Sequence, residues 1–144
     1  MTKNLDKEGL RSIVDNYQLF YVDLWGVVHN GITLHLEAIK TLKEITKKRK
    51  DYVLLTNAPR PNFAVKSFLE KMGMEKEIRD HVFTSGEAAL NYLKKNFLNQ
   101  KFFHVGPKRD FDLLRNFEKN KSSDIHKSEY ILCTGLFDNH DDDL

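Results

Sequence analysis

The stretch Leu19-Phe20-Tyr21-Val22-Asp23-Leu24-Trp25-Gly26-Val27-Val28-His29-Asn30-Gly31 decides the fold. Four apolar or aromatic residues run without alternation into a single carboxylate, and glycines follow at positions 26 and 31. An unbroken apolar run marks a strand buried on both faces, as in parallel sheets. A strand that hands one Asp to the loop at its C-terminal end is how open α/β sheets place chemistry. Tyr52-Val53-Leu54-Leu55, ending in Thr56-Asn57, has the same form and reads as a neighbouring strand.

Outward from these two strands the chain alternates. Leu5, Leu10, Ile13 and Val14 form a partial stripe, with Asp6 as its cap, and predict a short amphipathic helix over a sheet edge. Leu36, Ile39, Leu42 and Ile45 recur through a helix over 36–48, with Lys40, Lys43, Glu44 and Lys47 on its wet side. Asn57-Ala58-Pro59-Arg60-Pro61 is a turn, because the paired prolines forbid a helix before Pro61. Val65, Phe68, Leu69 and Met72 then fit one helix face, and Gly73 stops it. A strand over 81–83 leads into Thr84 and Glu87, a capping box, whose helix should bury Ala88, Leu90, Leu93 and Phe97. Residues 101–105 are strand-like up to the break at Gly106-Pro107. Phe111, Leu114 and Phe117 give a short helix, 119–127 a polar loop, and 130–134 the last strand. Strands alternating with helices predict an α/β fold, three-layered and Rossmann-like, around a mostly parallel sheet.

Composition narrows the classes. The net charge is +2, from 23 basic and 21 acidic residues, and so near a balance argues against nucleic acid as the main partner. The basic cluster Lys47-Lys48-Arg49-Lys50 reads as a solvated helix end, where cations suit the helix dipole. The one cysteine, Cys133, lies in the apolar run Tyr130-Ile131-Leu132-Cys133 and reads as a buried core thiol. Met1 to Asp6 lacks the apolar stretch of a signal peptide, and no run reaches membrane-spanning length. The expectation is a cytoplasmic protein with no membrane partner; self-association into a homo-oligomer is compatible with it. Asn139-His140-Asp141-Asp142-Asp143 reads as a solvated tail, since adjacent carboxylates cannot all turn to one ion without backbone wrapping.

Chemistry concentrates at the strand ends. A carboxylate such as Asp23 can attack phosphorus or carbon and form a covalent intermediate, or ligate magnesium, a hard ion that takes oxygen. It can equally cap the next turn. Thr56 and Asn57 can hold phosphate oxygens beside it, or serve only the turn that follows. Gly26 and Gly31 bracket the loop after Asp23 and permit close backbone approach. Arg60 suits a substrate anion or plain solvent. His29 and His35 read as surface loop residues, His81 and His104 as core or edge residues of strands.

Asp23-Leu24-Trp25-Gly26-Val27-Val28 with Gly31 resembles the first motif of the haloacid-dehalogenase-superfamily hydrolases, and Leu54-Leu55-Thr56-Asn57 their second. Their spacing, with Thr84-Ser85-Gly86-Glu87-Ala88-Ala89 downstream, is similar to the class whose α/β cap is inserted after the second motif. Trp25 with Asn57-Ala58-Pro59-Arg60-Pro61 is similar to an uncharacterised bacterial subgroup of that class. The resemblance implies a core over 1–97 and the beginning of an α/β cap over 98–144. It implies Asp23 as nucleophile and magnesium ligand, the Trp25 backbone carbonyl as second ligand, and Thr56 with Asn57 around the phosphoryl group of a small phosphorylated metabolite; Gly26 and Arg60 join the candidate phosphate-binding residues on the reading of the residues above. The family's acid/base carboxylate falls at position 25, where this chain has Trp25, and indole cannot exchange a proton. The family's later Lys and Asp motifs have no counterpart in this sequence, so the resemblance implies a fragment with weak magnesium binding and little hydrolysis. Non-catalytic binding of a phosphometabolite, or cleavage of carbon–halogen or carbon–phosphorus bonds, stand as alternatives.

Overall fold

The computed structural model describes Leu5 and residues 8–107 and 110–135; Asp6 and the 139–143 run lie outside the described residues. The chain forms two compact units, Met1–Thr56 with Phe68–Val82, and Asn57–Ser67 with Phe83–Leu144.

The first unit is built on β1 (Leu19–Asp23) and β2 (Asp51–Thr56), joined through helix α1 (Leu36–Lys47). The two strands run parallel, in register from Leu19 against Asp51 to Asp23 against Leu55. The sheet order is β1-β2-β3, where β3 spans Val82–Thr84 and gives this unit its first residue. The Leu54 N–H donates to the His81 carbonyl at 2.9 Å. Helix α2 (Asn62–Lys71) ends in this unit, and α3 (Lys76–Arg79), a turn that apolar periodicity could not register, precedes β3. α1 packs on β2, and Leu42, Ile45, Tyr52, Leu54, Leu69 and Ile78 are buried.

Three expectations change here. The N-terminal stripe forms two 3₁₀ turns, Leu10–Ser12 and Val14–Asn16, separated by Ile13, and only Val14 is buried. β1 is not buried on both faces: Leu19, Tyr21 and Asp23 are exposed and alternate with half-covered Phe20 and Val22. An unbroken apolar run says that both faces tolerate burial, not that both are covered. Leu36 is exposed, because a three-residue spacing slips by about 60° per step on a helix of 3.6 residues per turn. Leu36 and Ile45 therefore face opposite ways.

The second unit holds α4 (Ser85–Asn96), β4 (Phe102–Val105), α5 (Phe111–Leu114) running into a 3₁₀ turn, β5 (Lys121–Ser122) and β6 (Tyr130–Cys133). Its sheet has the order β5-β4-β6, with both outer strands parallel to β4. Leu90 and Leu93 of α4, Phe102 of β4, Leu113 and Leu114 of α5, and Phe117 make its core, against which Phe97, Tyr130 and Leu132 pack. Ala88 faces solvent instead. The polar stretch expected as loop contains β5 and a further 3₁₀ turn, Ile125–Lys127, capped by the Asp124 side chain. Cys133 is exposed, not a core thiol: along β6 Tyr130 and Leu132 turn inward, and the period of two sends Ile131 and Cys133 out.

The start of α4 is more elaborate than a capping box. The buried Thr84 hydroxyl accepts the Glu87 N–H at 2.9 Å and donates to the Arg60 carbonyl. The return half of the box is taken over by Asn62. Its Oδ1 accepts the Thr84 N–H at 3.0 Å, and its own N–H donates to the Glu87 carboxylate at 3.0 Å. Among the described residues no helix is long and apolar enough to cross a membrane.

Candidate active site

Register brings the first candidates together. Asp23 closes β1 opposite Leu55, so Thr56, the last residue of β2, stands one step beyond it at the same ends of two parallel strands. The Asp23 Oδ1 accepts the Leu24 N–H at 2.8 Å, which orients the carboxylate, and Asp23 is exposed. Thr56 is half-buried.

The loop after Asp23 folds on itself at once. Leu24 accepts N–H groups from Val28 (2.9 Å) and His29 (3.1 Å), and the Gly26 N–H donates to the His29 carbonyl at 2.8 Å. Gly26 has φ 77° and Gly31 φ 90°, the left-handed region where glycine is at ease. The Gly26 N–H is thus spent inside the loop, and what Gly26 offers an approaching group is its missing side chain. At the tip Asn30 Oδ1 accepts from Ile32 N–H (2.9 Å) and Thr33 N–H (2.8 Å).

His29 is not the surface residue that its loop position suggested. It is only 4% exposed, with its ring edge-on to Trp25 (centroids 5.6 Å apart) and to Phe68 (5.8 Å). Its Nδ1 accepts the Gly31 N–H at 2.9 Å. An accepting Nδ1 carries no proton, so the ring is the neutral Nε2–H tautomer. Burial and, next, the charge of His35 hold its pKa below the ordinary histidine value, against a weaker upward pull from Asp23. A buried neutral ring so engaged is no stand-in for the missing acid. Trp25 is 65% exposed, and its indole lies so near Gly31 that a Cβ there would stand 2.6 Å from it.

Asn57 and Arg60 belong to the second unit. The Ser85 hydroxyl reaches the carbonyls of Asn57 and Ala58, both at 2.9 Å, and the Gly86 N–H donates to Ala58 at 3.2 Å. A Cβ on Gly86 would meet the Arg60 backbone at 2.4 Å, so only glycine lets the 57–61 turn lie on α4. With Gly86 and Glu87 N–H groups already bonded within the chain, the start of α4 is a fold junction rather than an anion cradle. A cavity of about 300 Å³ lies beside it, its walls including Asn57, Ser85, Leu113, Leu132 and Thr134. The Thr134 hydroxyl and His104 Nε2 are 3.0 Å apart, and burial, then Lys121, holds the His104 pKa down. Thr134 lies past the end of β6, where the apolar run gave no sign of a polar lining.

Among the described residues no group of three or more His, Cys, Asp or Glu could hold a metal ion. The Asp23 carboxylate and the Trp25 carbonyl are hard oxygens that suit magnesium, which takes one or two carboxylates and fills its octahedron with water and phosphate.

With this geometry in view, the model of the "Haloacid dehalogenase-like hydrolase" family matches residues 20–119. Phosphoglycolate phosphatase 2 of Arabidopsis thaliana is 33% identical over 105 residues, covering 70% of this chain and 34% of its own. A haloacid dehalogenase-like hydrolase from Brucella suis 1330 superposes with TM-score 0.75 at 29% identity, over 90% of this chain and 46% of its own. A glycerol phosphate phosphatase from Mycobacterium tuberculosis, solved in complex with magnesium, superposes with TM-score 0.60 at 16% identity, over 86% of this chain and 38% of its own. The chain thus spans about a third of the curated relative and less than half of these solved structures.

Proposed function

The chain belongs to the haloacid dehalogenase-like hydrolases, and from that premise we propose a phosphatase-type reaction on a small phosphate ester, with Asp23 as nucleophile. One observation carries the reading: the strand register sets Asp23 opposite Leu55, with Thr56 one residue further on at the same ends of β1 and β2. Leu24 N–H holds one carboxylate oxygen and leaves the other to attack phosphorus. The bond from phosphorus to the leaving oxygen breaks as the aspartyl phosphate forms, and water then cleaves that intermediate to release inorganic phosphate. Thr56 donates to a phosphoryl oxygen and keeps the group in line. Bound magnesium would be held by the Asp23 carboxylate and the Trp25 carbonyl, and would neutralise charge gathering on the phosphoryl oxygens.

Trp25 sets the limit of this chemistry. With indole where the family has its acid, the leaving oxygen departs without a positioned proton donor, so hydrolysis favours leaving groups that need none. The same substitution supports a second reading, a protein that binds a phosphometabolite without turning it over. We place residues 1–97 in the core and 98–144 in the cap, in a cytoplasmic protein. The test is Asp23→Asn in the full chain, assayed with magnesium on aryl and alkyl phosphates. Turnover should fall by at least about 10³-fold; unchanged turnover would remove Asp23 from its role.

A further inference from the structure

Trp25 is exposed yet held. Its indole meets His29 edge-on at 5.6 Å and 86°, and His29 is itself fixed edge-on against Phe68 and by the Gly31 N–H. Gly31 lies directly against the indole, in a space no other residue would leave. Two thirds of Trp25 nevertheless faces outward, at 65% exposure. An aromatic side chain fixed by its neighbours and open to solvent has already met the ordering cost of binding. Only Leu24 separates it from Asp23, so the two Cα atoms are at most about 7 Å apart, and Leu24 N–H orients the carboxylate.

We propose that Trp25 is a specificity-determining residue: its open indole surface stacks on a planar aromatic group carried next to the phosphorus, so that the site selects aryl phosphates over alkyl ones. The proposal rests on the phosphoryl site at Asp23 and names its substrate class. Stacking adds to the area an aromatic ring buries, and the increment corresponds to about three- to tenfold in affinity. A saturated ring of the same size gains the area but not the stacking.

The test uses the full chain with magnesium and three non-hydrolysable ligands: methylphosphonate, cyclohexylphosphonate and phenylphosphonate. Affinity is measured by titration calorimetry and by the emission of Trp25, the only tryptophan in the chain. Phenylphosphonate should bind about three- to tenfold tighter than cyclohexylphosphonate, with a saturable change in Trp25 emission. Trp25→Ala should bring the phenyl-to-cyclohexyl affinity ratio to about one, and Trp25→Phe should keep part of the preference. Equal affinity for the two rings, or a preference that survives Trp25→Ala, overturns the proposal and leaves the phosphoryl site standing. Failure of all three ligands to bind overturns both.

Discussion

Gly31 donates its backbone N–H to His29 Nδ1 at 2.9 Å, and this bond fixes the turn at the middle of the loop that follows Asp23. The acceptor matters more than the ring. Asn can place an oxygen where Nδ1 stands, whereas Phe keeps the ring and leaves the Gly31 donor unmet. His29→Asn should hold stability near wild type, and His29→Phe should lose about 1–2 kcal/mol. Urea melts followed by Trp25 emission check this, with Trp25 already displaced before unfolding in His29→Phe.

Two imidazoles, His29 buried and His104 half-buried, give stability a definite pH dependence. Burial is the leading cause of the lowered pKa at both: His29 also feels His35 and, oppositely, Asp23; His104 feels Lys121 and, oppositely, Asp110. A pKa lowered in the fold means that the unfolded chain takes up the proton first. The contribution is complete above the ordinary histidine value of 6.5 and is lost as pH falls through it toward the folded value. Urea midpoints should therefore decline as pH falls below 6.5, and His29→Asn and His104→Asn should each flatten part of that decline.

Gly86→Ala sets two effects against each other. Ala gains about 1 kcal/mol of helix propensity over Gly. Its Cβ would stand 2.4–2.6 Å from backbone atoms of Arg60, which cannot rotate away, and overpacking of this kind costs about 1–3 kcal/mol. The clash should win, and thermal melts should show net destabilisation.

How much of this was legible beforehand depends on distance along the chain. Asp23 and Thr56 could be placed because each closes an apolar run, a local signature. Thr84 and Glu87 announced the start of α4, but Asn62, which completes that cap, comes from another helix and leaves no local pattern. The fate of His29 was invisible for the same reason: it is enclosed by Phe68, far along the chain. Cys133 misled because an apolar run conceals the period of two that turns alternate residues outward.

Trp25→Asp restores a carboxyl group where the family places its acid. Hydrolysis of alkyl phosphates, whose leaving groups need a proton, should rise by about 10²–10⁴-fold. Aryl phosphates with acidic leaving groups should change far less. Steady-state kcat/KM across a series of leaving groups would show the slope flatten in the variant.

The proposed reaction passes through a covalent bond between the Asp23 carboxylate and phosphorus. The direct measurement is acid quenching of the full chain during turnover of 4-nitrophenyl phosphate with magnesium, followed by peptide mass spectrometry. A phosphoryl adduct should appear on the peptide containing Asp23, at its carboxylate, and be absent from Asp23→Asn. Turnover with no adduct at Asp23, at a rate that Asp23→Asn matches, would contradict it.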